Sequence, residues 1–498
     1  MPLQPDDGVS ESLRRVHFVA IGGTGMGALA GLLHARGIAV TGSDLRLYPP
    51  MSTVLERWGI PVFEGFAAER VLDPAPDLVV IGNAVRPDNP EARAAIDEGL
   101  SYLSFPDALY RHAIAGKHPV VVSGTHGKTT TTSLLGAILL ATGRDPSLLV
   151  AGFAFDFDGS FREGRGEHFV VEGDEYDTAF FDKTPKFLHY GARTLLITSV
   201  EFDHADIYRD LDHVKQSFRD LVARLPSDGV IVAAHDYPGV RDVIDGAPCR
   251  SVGYGLETDA PGAWRATDLS TGPETTSFDV VRDGRVMLRA RVPLFGRVNV
   301  ENALAALATA SELGVPLAEA VEALAGFRGV KRRQEVRGEA RGVTVVDDFA
   351  HHPTAVAASI ESLRARLPGR RLIAVFEPRT NTSRRTVFQA DYVRALEDAD
   401  RAVLRIVAEG PLYSATGPVT ERFSSQQLAI DLAAAGTASV ALEEVDAIVD
   451  HLVRECEPGD VVLVMSNGDF GNLWERLLQA LASTRATLPR SSRSREAP

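Results

Sequence analysis

The sequence predicts an α/β protein with three domains. Its 498 residues exceed what one hydrophobic core usually organises, and at ~150 residues per domain they suggest about three. Short apolar runs alternate with helical stretches in two separate parts of the chain, as in parallel sheets with crossover helices. A glycine-rich loop after a strand lies between these parts. We therefore place the domains at 1–116, 117–328 and 329–484, followed by a disordered tail at 485–498.

The composition excludes several classes of protein. Hydrophobic residues make up 45% and charged residues 24% of the chain, as in ordinary globular proteins. The formal net charge of -15 disfavours nucleic acid as a partner, because phosphate backbones are bound by clustered positive charge. No stretch approaches the ~18 apolar residues that span a bilayer. Cys249 and Cys456 lie in no metal or redox spacing. We expect a cytoplasmic protein with no membrane partner.

The first domain is expected to be Rossmann-like. Strands are predicted at 16–21, 38–41 and 77–81, with helices at 27–36 and 51–58.

A glycine turn follows the first of these strands. Gly23, Gly25 and Ala28 fit the pattern G-x-G-x-x-G/A, and Asp44 closes the next strand. This pattern favours binding of a diphosphate. The residues leave open whether the diphosphate belongs to NAD or to another nucleotide-linked substrate such as a UDP-sugar.

The second domain begins with the most specific pattern in the chain. Residues 118–132 have the sequence HPVVVSGTHGKTTTT, a buried strand that leads into a glycine turn and then a helix. Glycines let backbone amides face phosphates, and the helix N-terminus adds partial positive charge. Lys128 is expected to reach the β- and γ-phosphates of a nucleotide, and the Thr129 hydroxyl to bind Mg²⁺. Val122 replaces the first glycine of the general pattern, so the loop is a shortened variant.

Acidic residues end two further predicted strands of this domain. FVVEGDEYD spans 169–177 and LLITSVEFDHAD spans 195–206. The carboxyl ends of parallel strands meet at one edge, so Glu172 and His204 are expected near Mg²⁺ and the γ-phosphate. A histidine is an unusual ligand for so hard a cation. For residues 172–177, the alternative to a metal site is a solvated acidic loop.

The rest of the chain predicts more α/β structure. Antiparallel hairpins appended to the second domain are expected within 253–293. Beyond residue 329, a second doubly wound, Rossmann-like domain is predicted from strands at 343–346, 371–376, 402–407 and 460–465 and helices at 354–367, 388–399, 425–435 and 444–455.

These patterns together resemble the Mur ligases of peptidoglycan synthesis. The shared stretches are GTHGKTTT at 124–131, EGDEYD at 172–177, EFDHADI at 201–207, Asn299 and Asn302 in GRVNVEN, and DDFAHHP at 347–353. IGGTGMG and TGSD at 41–44 resemble the half that binds UDP-muramic acid. The murein peptide ligase branch is suggested by YPPMST at 48–53, IGNA at 81–84, AFFDK at 179–183, EPRTNT at 377–382 and MSNGDFGN at 465–472.

The resemblance implies a Rossmann-like UDP-sugar-binding domain, a central P-loop ATPase-like domain and a C-terminal Rossmann-like domain. It implies ATP and Mg²⁺ as cofactors, with catalytic roles for Lys128, Glu172, His204 and Arg333 and metal contacts from Thr129, Glu172 and His204. The implied ATP-binding residues are Gly124, Thr125, His126, Gly127, Lys128, Thr129, Thr130, Asn299, Asn302, Arg333, Asp348 and His351. The implied substrate-binding residues are Gly23, Thr24, Gly25, Met26, Gly27, Ser43, Asp44, Asn83, Arg379, Asn381, Ser466 and Asn467.

The chain departs from the family pattern at two positions. Val298 stands where the family usually has a histidine before the first asparagine. Arg219 replaces the lysine that some branches carbamylate, as the resemblance implies for enzymes that start from UDP-N-acetylmuramate.

The implied reaction is the ATP-dependent joining of UDP-N-acetylmuramate to L-Ala-γ-D-Glu-meso-diaminopimelate through an acyl phosphate, in peptidoglycan recycling. Addition of L-alanine to the same sugar nucleotide is the nearest alternative. A nucleotide-binding switch would need only the glycine loop, and an NAD-dependent oxidoreductase would leave that loop unexplained.

Overall fold

The computed structural model describes residues 13–47, 51–407, 410–417 and 419–483. The predicted tail at 485–498 and the first three residues of YPPMST lie outside these ranges. The chain divides into two compact units, with the boundary between Lys331 and Arg332. No helix in the described ranges is long and apolar enough to cross a membrane.

The first sheet is parallel throughout and has the order β3-β2-β1-β4-β5. Its elements are β1 (Arg15–Val19), α1 (Thr24–Ala35), β2 (Ala39–Asp44), α2 (Met51–Arg57), β3 (Val62–Glu64), α3 (Glu69–Leu72), β4 (Leu78–Ile81), α4 (Pro90–Asp97), β5 (Tyr102–Ser104) and α5 (Phe105–Leu109). The three predicted strands and two predicted helices are present. Helix α4, which the sequence analysis did not predict, begins at Pro90 with Asn89 as its N-cap.

The second sheet has ten strands in the order β17-β16-β15-β14-β13-β12-β6-β9-β7-β8. Its strands, with the separate hairpin of β10 and β11, are β6 (His118–Ser123), β7 (Ser147–Ala154), β8 (Gly159–Arg162), β9 (His168–Gly173), β10 (Asp177–Ala179), β11 (Asp182–Pro185), β12 (Thr194–Ile197), β13 (Val230–Ala234), β14 (Arg250–Gly255), β15 (Trp264–Thr271), β16 (Thr276–Arg282) and β17 (Arg285–Val292). Its helices are α6 (Lys128–Ala141), α7 (Leu211–Ala223), α8 (Pro238–Ile244), α9 (Arg297–Glu312) and α10 (Leu317–Ala325).

The predicted hairpins are confirmed, because β15, β16 and β17 pair antiparallel. They extend the main sheet rather than form a separate appendage, since β15 pairs parallel with β14.

The third sheet lies in the second unit and has the order β18-β19-β23-β20-β21-β22. Its elements are β18 (Glu335–Ala340), β19 (Val343–Asp348), α11 (Pro353–Arg366), β20 (Leu372–Phe376), α12 (Gln389–Leu396), β21 (Arg401–Arg405), α13 (Ser425–Ala434), β22 (Ala438–Leu442), α14 (Val445–Glu455), β23 (Val461–Met465) and α15 (Leu473–Ser483). The predicted doubly wound arrangement is confirmed, with hydrophobic clusters on both faces of the sheet. The sequence analysis missed β18, an antiparallel edge strand with a bulge near Gly338.

The first two sheets share one continuous hydrophobic cluster. Helix α1 of the first sheet contacts β7 and β8 of the second. At this junction Gly31 lies so close to Phe161 that an added Cβ would be 2.5 Å from its ring. The rings of Trp58 and Phe161 meet edge to face at 5.1 Å. The first two predicted domains therefore form one compact unit, and the boundaries assigned to them stay a prediction.

The shared core allows a test of its contribution to stability. Leu304 on α9 is fully buried in this cluster, whereas Leu72 is 41% exposed. Leu304→Ala should cost ~2–5 kcal/mol, because it removes buried methyl groups and leaves a cavity. We expect a drop of several degrees in the thermal midpoint measured by circular dichroism. Leu72→Ala is the control and should leave the midpoint within about one degree. Equal shifts for the two variants would contradict this view of the core.

Candidate active site

The turn between β6 and α6 can be built only with glycine at two positions. Gly124 has φ 133° and Gly127 has φ 79°, in the region that favours glycine. A Cβ on Gly124 would lie 2.1 Å from Thr198 Oγ1, and one on Gly127 would lie 2.5 Å from Asn302 Oδ1. Helix α6 begins at Lys128. The predicted order of strand, glycine turn and helix is confirmed, and Val122 is simply a fully buried strand residue before the turn.

The turn is held from the side by the segment after β12. The Thr125 amide donates to the Ser199 carbonyl at 3.0 Å, and the His126 amide donates to Ser199 Oγ at 2.9 Å. The Glu201 amide donates in return to Thr125 Oγ1 at 2.8 Å. These bonds use the Thr125 and His126 amides to fix the conformation of the turn, so a phosphate bound at the start of α6 would meet a preformed backbone.

Lys128 is paired with an acid that the sequence analysis did not select. Its Nζ donates to the Gly124 carbonyl and to Glu175 Oε2, both at 2.7 Å. Burial lowers the pKa of Lys128, but Glu175 and Asp174 outweigh it and raise the pKa. Glu175 belongs to the EGDEYD stretch, but nothing in its spacing distinguishes it from the neighbouring acids.

Glu172 and Thr129 meet where β9 ends and α6 begins. Thr129 Oγ1 donates to Glu172 Oε1 at 2.8 Å, and the Ala151 amide donates to Glu172 Oε2 at 2.8 Å. Burial, with Asp174 nearby, raises the pKa of Glu172. A buried carboxylate beside a hydroxyl is the kind of oxygen donor set that Mg²⁺ takes. The two residues thus fit a divalent cation.

His204 lies on the other side of Glu175. Its Nε2 is 3.3 Å from Glu175 Oε1, and its backbone has φ 52°. Burial lowers the pKa of His204, but Asp203 and Glu175 outweigh it and raise the pKa to about 9. Burial would also raise the pKa of Glu175, but Lys128 and His204 lower it to about 2. In this pairing the imidazole is protonated, whereas a metal ligand must be neutral. The metal contact of His204 stays a prediction.

Asn299 and Asn302 lie in the first turns of α9 and are both buried. Asn302 Oδ1 accepts from Thr131 Oγ1 at 3.1 Å, and its Nδ2 donates to Asn299 Oδ1 at 3.3 Å. Asn299 Nδ2 donates to the Phe295 carbonyl at 2.8 Å. These bonds join α9 to α6 directly behind the glycine turn. Contact of the two asparagines with adenine stays a prediction, as do the roles of His126 and Thr130.

The glycine turn of the first sheet is closed by Asp44. Its Oδ2 accepts from the Gly22 amide and its Oδ1 from the Leu45 amide, both at 2.8 Å. Gly25 and Gly27 also have packing roles, because a Cβ on them would lie 3.3 Å from the Phe105 ring and 2.2 Å from Met51 Sδ. The structure brings the predicted substrate residues Gly23, Thr24, Gly25, Met26 and Gly27 together at the end of β1 and the start of α1.

Ser43 has a buried partner that the sequence did not reveal. Its hydroxyl donates to Glu91, and both side chains are fully buried. Glu91 Oε2 also lies 3.3 Å from His17 Nε2, and its Oε1 lies 3.6 Å from Arg70. Substrate contact by Ser43 stays a prediction. Asn83 follows β4 and is exposed.

In the second unit, Asp348 ends β19. Its carboxylate accepts from the Ala350 amide at 2.7 Å and from the Gln334 amide at 2.9 Å. Burial raises the pKa of Asp348 despite Arg333 nearby. The Arg333 guanidinium lies 4.9 Å from the centre of the Phe349 ring. Asp348, Arg333 and His351 are thus gathered around Phe349, and their contact with nucleotide stays a prediction.

A polar cluster occupies the carboxyl ends of the neighbouring strands β20 and β23. Ser466 Oγ donates to Glu377 Oε2 at 2.5 Å, and Arg379 Nη1 lies 3.2 Å from Asp469 Oδ1. Arg405 forms an ion pair with the other oxygen of Glu377. The predicted residues Arg379 and Ser466 therefore lie in one cluster, which also contains Glu377, Asp469 and Arg405, three residues that the sequence analysis missed.

Two further predicted residues belong to loops of the same sheet. Asn381 Oδ1 accepts from the Tyr413 amide at 3.4 Å. Asn467 Oδ1 is buried and has no hydrogen-bond partner within the described ranges.

Three family models match consecutive parts of the chain. They are described as the Mur ligase family, catalytic domain, at residues 15–117, the Mur ligase middle domain at 122–310, and the Mur ligase, glutamate ligase domain, at 332–468. With the nucleotide-type loop, they define the class: the chain belongs to the Mur ligase family, whose members are ATP-dependent ligases that form amide bonds.

Comparison with individual proteins indicates which members of the family this chain resembles. The chain is 39% identical to a UDP-N-acetylmuramate–L-alanyl-γ-D-glutamyl-meso-2,6-diaminoheptandioate ligase from Escherichia coli over 94% of this chain and 98% of the relative. It is 35% identical to a UDP-N-acetylmuramate–L-alanine ligase from Caldanaerobacter subterraneus over 94% and 98%. A crystal structure of a murein peptide ligase from Psychrobacter arcticus matches with a TM-score of 0.72 at 33% identity, covering 95% of this chain and all of that one.

The geometry of Gly127 provides a test of the loop. Gly127→Ala would place a Cβ 2.5 Å from Asn302 Oδ1, so the turn must shift. We expect at least ~10-fold weaker Mg-ATP binding by titration calorimetry, because misplaced amides lose ~1.4 kcal/mol or more. Gly143→Ala is the matched control: Gly143 follows the C-cap of α6, has φ 72°, and has no atom within 4 Å of an added Cβ. Both variants carry similar backbone strain, so equal ATP affinities would refute the assignment.

Proposed function

We propose that this chain joins UDP-N-acetylmuramate to L-alanyl-γ-D-glutamyl-meso-diaminopimelate at the cost of ATP. One observation supports the proposal above the others. The residues around Lys128 form a glycine turn of the type that binds phosphates, beside Glu172, in a chain that is 39% identical, over 94% of its length, to a ligase named for these two substrates.

The first step transfers the γ-phosphate of ATP to the sugar-nucleotide carboxylate and gives an acyl phosphate and ADP. Such a transfer needs positioning and charge neutralisation more than covalent help from the protein. The amides of the turn and Lys128 do this work for the polyphosphate. A bound Mg²⁺, held by Thr129 and Glu172, would supply further neutralisation of the phosphate oxygens.

Lys128 can release Glu175 and bind phosphate instead, because both partners offer anionic oxygen atoms to its ammonium. The phosphate oxygens would replace Glu175 as acceptors of the ammonium. Glu175 keeps His204 as a second cationic neighbour, at 3.3 Å, so it is not left as an uncompensated buried charge.

In the second step the peptide amine attacks the acyl carbon. A tetrahedral intermediate forms and collapses, the new amide bond remains, and inorganic phosphate leaves. The amine must arrive unprotonated, because its lone pair forms the bond.

The cluster at β20 and β23 supports a peptide with several carboxylates. Arg379 and Arg384 lie in the segment after β20, and Arg405 ends β21. A guanidinium can bind a carboxylate through two parallel hydrogen bonds, so a peptide carboxylate would replace Asp469 and Glu377, the present partners of Arg379 and Arg405. Burial lowers the pKa of Arg384, with Arg422 adding to the effect. The tripeptide offers the carboxylates of its glutamyl and diaminopimelyl residues, whereas L-alanine offers one.

The environment of Asp44 bears on the NAD alternative. A dinucleotide site of this type uses such an acid to bind ribose hydroxyls. Here both oxygens of Asp44 accept backbone amides at 2.8 Å. Asp44 therefore has a structural role in closing the turn, a role that requires no ribose ligand.

The charge of Lys128 gives the first test of the proposed function. Lys128→Ala should lower turnover at least ~100-fold, since loss of one preorganised charge contact costs about 3–4 kcal/mol in the barrier. Lys215→Ala is the control, because Lys215 pairs with Asp242 at 2.7 Å on α7 and α8, away from the turn. Turnover is measured as phosphate release, and circular dichroism checks the fold. A folded Lys128→Ala protein with near-normal turnover would exclude the assigned role.

The choice of amine gives the second test. The concentrations of Mg-ATP and UDP-N-acetylmuramate are held fixed. We expect kcat/KM for the tripeptide to exceed that for L-alanine at least ~10-fold, because the single amino acid loses charged contacts worth about 1.4 kcal/mol or more. Phosphate release without an amine is the control and should be negligible. A preference for L-alanine would favour the second candidate function, that of a UDP-N-acetylmuramate–L-alanine ligase. The chain is 35% identical to a relative of that name.

A further inference from the structure

A buried lysine lies close to the candidate ATP site, and neither the site analysis nor the resemblance assigns it a role. Lys186 follows the hairpin of β10 and β11 and begins a short 3-10 turn that ends at His189. Its side chain is 8% exposed. The Lys186 amide donates to the Tyr176 carbonyl at 3.2 Å, and the Phe187 amide donates to the Asp174 carbonyl at 3.2 Å. The backbone on both sides of the lysine is therefore attached to the segment that follows β9.

The ammonium of Lys186 lies between the ends of the first and second sheets. Its Nζ is 3.7 Å from Asp174 Oδ2 and 3.9 Å from the centre of the Tyr176 ring. On the other side, Nζ is 5.7 Å from the centre of the Phe105 ring. Phe105 begins α5 directly after β5, and its ring lies against Gly25 of the first glycine turn. The lysine thus connects the acidic end of β9 with the predicted sugar-nucleotide turn.

The charges around this position create a need for a cation. Glu172 lies next to the end of β9, and Asp174 and Glu175 follow the strand. An acid substrate that approaches ATP there meets negative charge on both the protein and the phosphates. Lys128 is already directed to the polyphosphate. A carboxylate close to these groups is stable only if another positive group faces it, because opposite charges at contact distance offset its desolvation.

A structural role is the competing explanation. A buried ammonium on an aromatic ring with a nearby carboxylate can hold a hairpin in place through cation–π and ionic contacts. A buried lysine is, however, unusual and costly. The distance of 3.7 Å between Lys186 Nζ and Asp174 Oδ2 is long for a charge-assisted hydrogen bond, so the ammonium can still bind a closer carboxylate.

We propose that Lys186 is a positioning residue that binds the carboxylate of the sugar-nucleotide substrate and holds it for attack on the γ-phosphate. This inference rests on the proposed function, because it assumes a carboxylate-bearing sugar nucleotide at the first glycine turn. It extends that function by assigning one residue to the carboxylate of the sugar nucleotide, separate from the residues that hold ATP.

A pair of ligands with and without the carboxylate tests this assignment. UDP-N-acetylmuramate carries a lactyl acid that UDP-N-acetylglucosamine lacks. Both are titrated into the wild-type protein and into Lys186→Met, Lys186→Arg and Lys183→Met, with saturating Mg-ADP present. Lys183 is the matched control, because it belongs to the same hairpin but is exposed and pairs with Asp177 at 2.6 Å.

In the wild-type protein and in Lys183→Met, the acid ligand should bind more tightly than the neutral one. Lys186→Met should weaken binding of the acid at least ~10-fold, the equivalent of one contact of about 1.4 kcal/mol, and change binding of the neutral ligand less than ~2-fold. Lys186→Arg should restore part of the loss, because the positive charge returns. In steady-state assays of Lys186→Met, KM for UDP-N-acetylmuramate should rise while KM for ATP stays unchanged.

Equal weakening of both ligands in Lys186→Met would show a structural role and overturn the proposal. Unchanged affinity for both, or a wild-type protein that binds the two ligands equally, would also overturn it. A wild-type protein that binds neither ligand would instead overturn the proposed function, and this inference with it. The two failures are therefore distinguishable.

Discussion

The pairing of the buried Lys128 ammonium with acceptors beside the glycine turn governs the arrangement of the first unit. Lys128 lies 2.7 Å from both the Gly124 carbonyl and Glu175, and this pairing stabilises a charge that would otherwise be costly to bury. Glu175 is in turn 3.3 Å from His204. The turn, the acid and the histidine form one charge network, so each of them constrains where the others can be.

The parallel arrangement of the second sheet determines where the members of this network lie. Strands β6, β9 and β12 are neighbours, and their carboxyl ends bring the glycine turn, Glu172 and the segment at Thr198 to one edge. The same rule places the first glycine turn and Phe105 at the end of the first sheet, and Asp348 and Ser466 at the end of the third. The central strands of each sheet are largely apolar and buried, and the polar chemistry lies at their last residues and in the residues that follow them.

The two sheets of the first unit share a core, and this has a consequence for function. Because α1 contacts β7 and β8 through Gly31 and Phe161, the glycine turn at the start of α1 has a defined position relative to the acidic end of β9. Lys186 and Phe105 occupy the space between them. A substrate that bridges the two turns would therefore meet a site whose halves are already aligned, which lowers the entropic cost of bringing acid and nucleotide together.

The sequence by itself determined the elements and the local chemistry. Apolar runs of strand length, the glycines at 124 and 127, and the acids that follow β9 are local patterns, and they correctly located the strand, turn and helix around Lys128. Tertiary structure alone decided the partners: Glu175 rather than a neighbouring acid for Lys128, Glu91 for Ser43, the backbone at Gly22 for Asp44, and the continuation of β14 into β15. It also decided that the first two sheets form one unit. The physical reason is that a contact depends on which strands become neighbours and how far each side chain reaches, and residues distant in sequence carry no local pattern that encodes this.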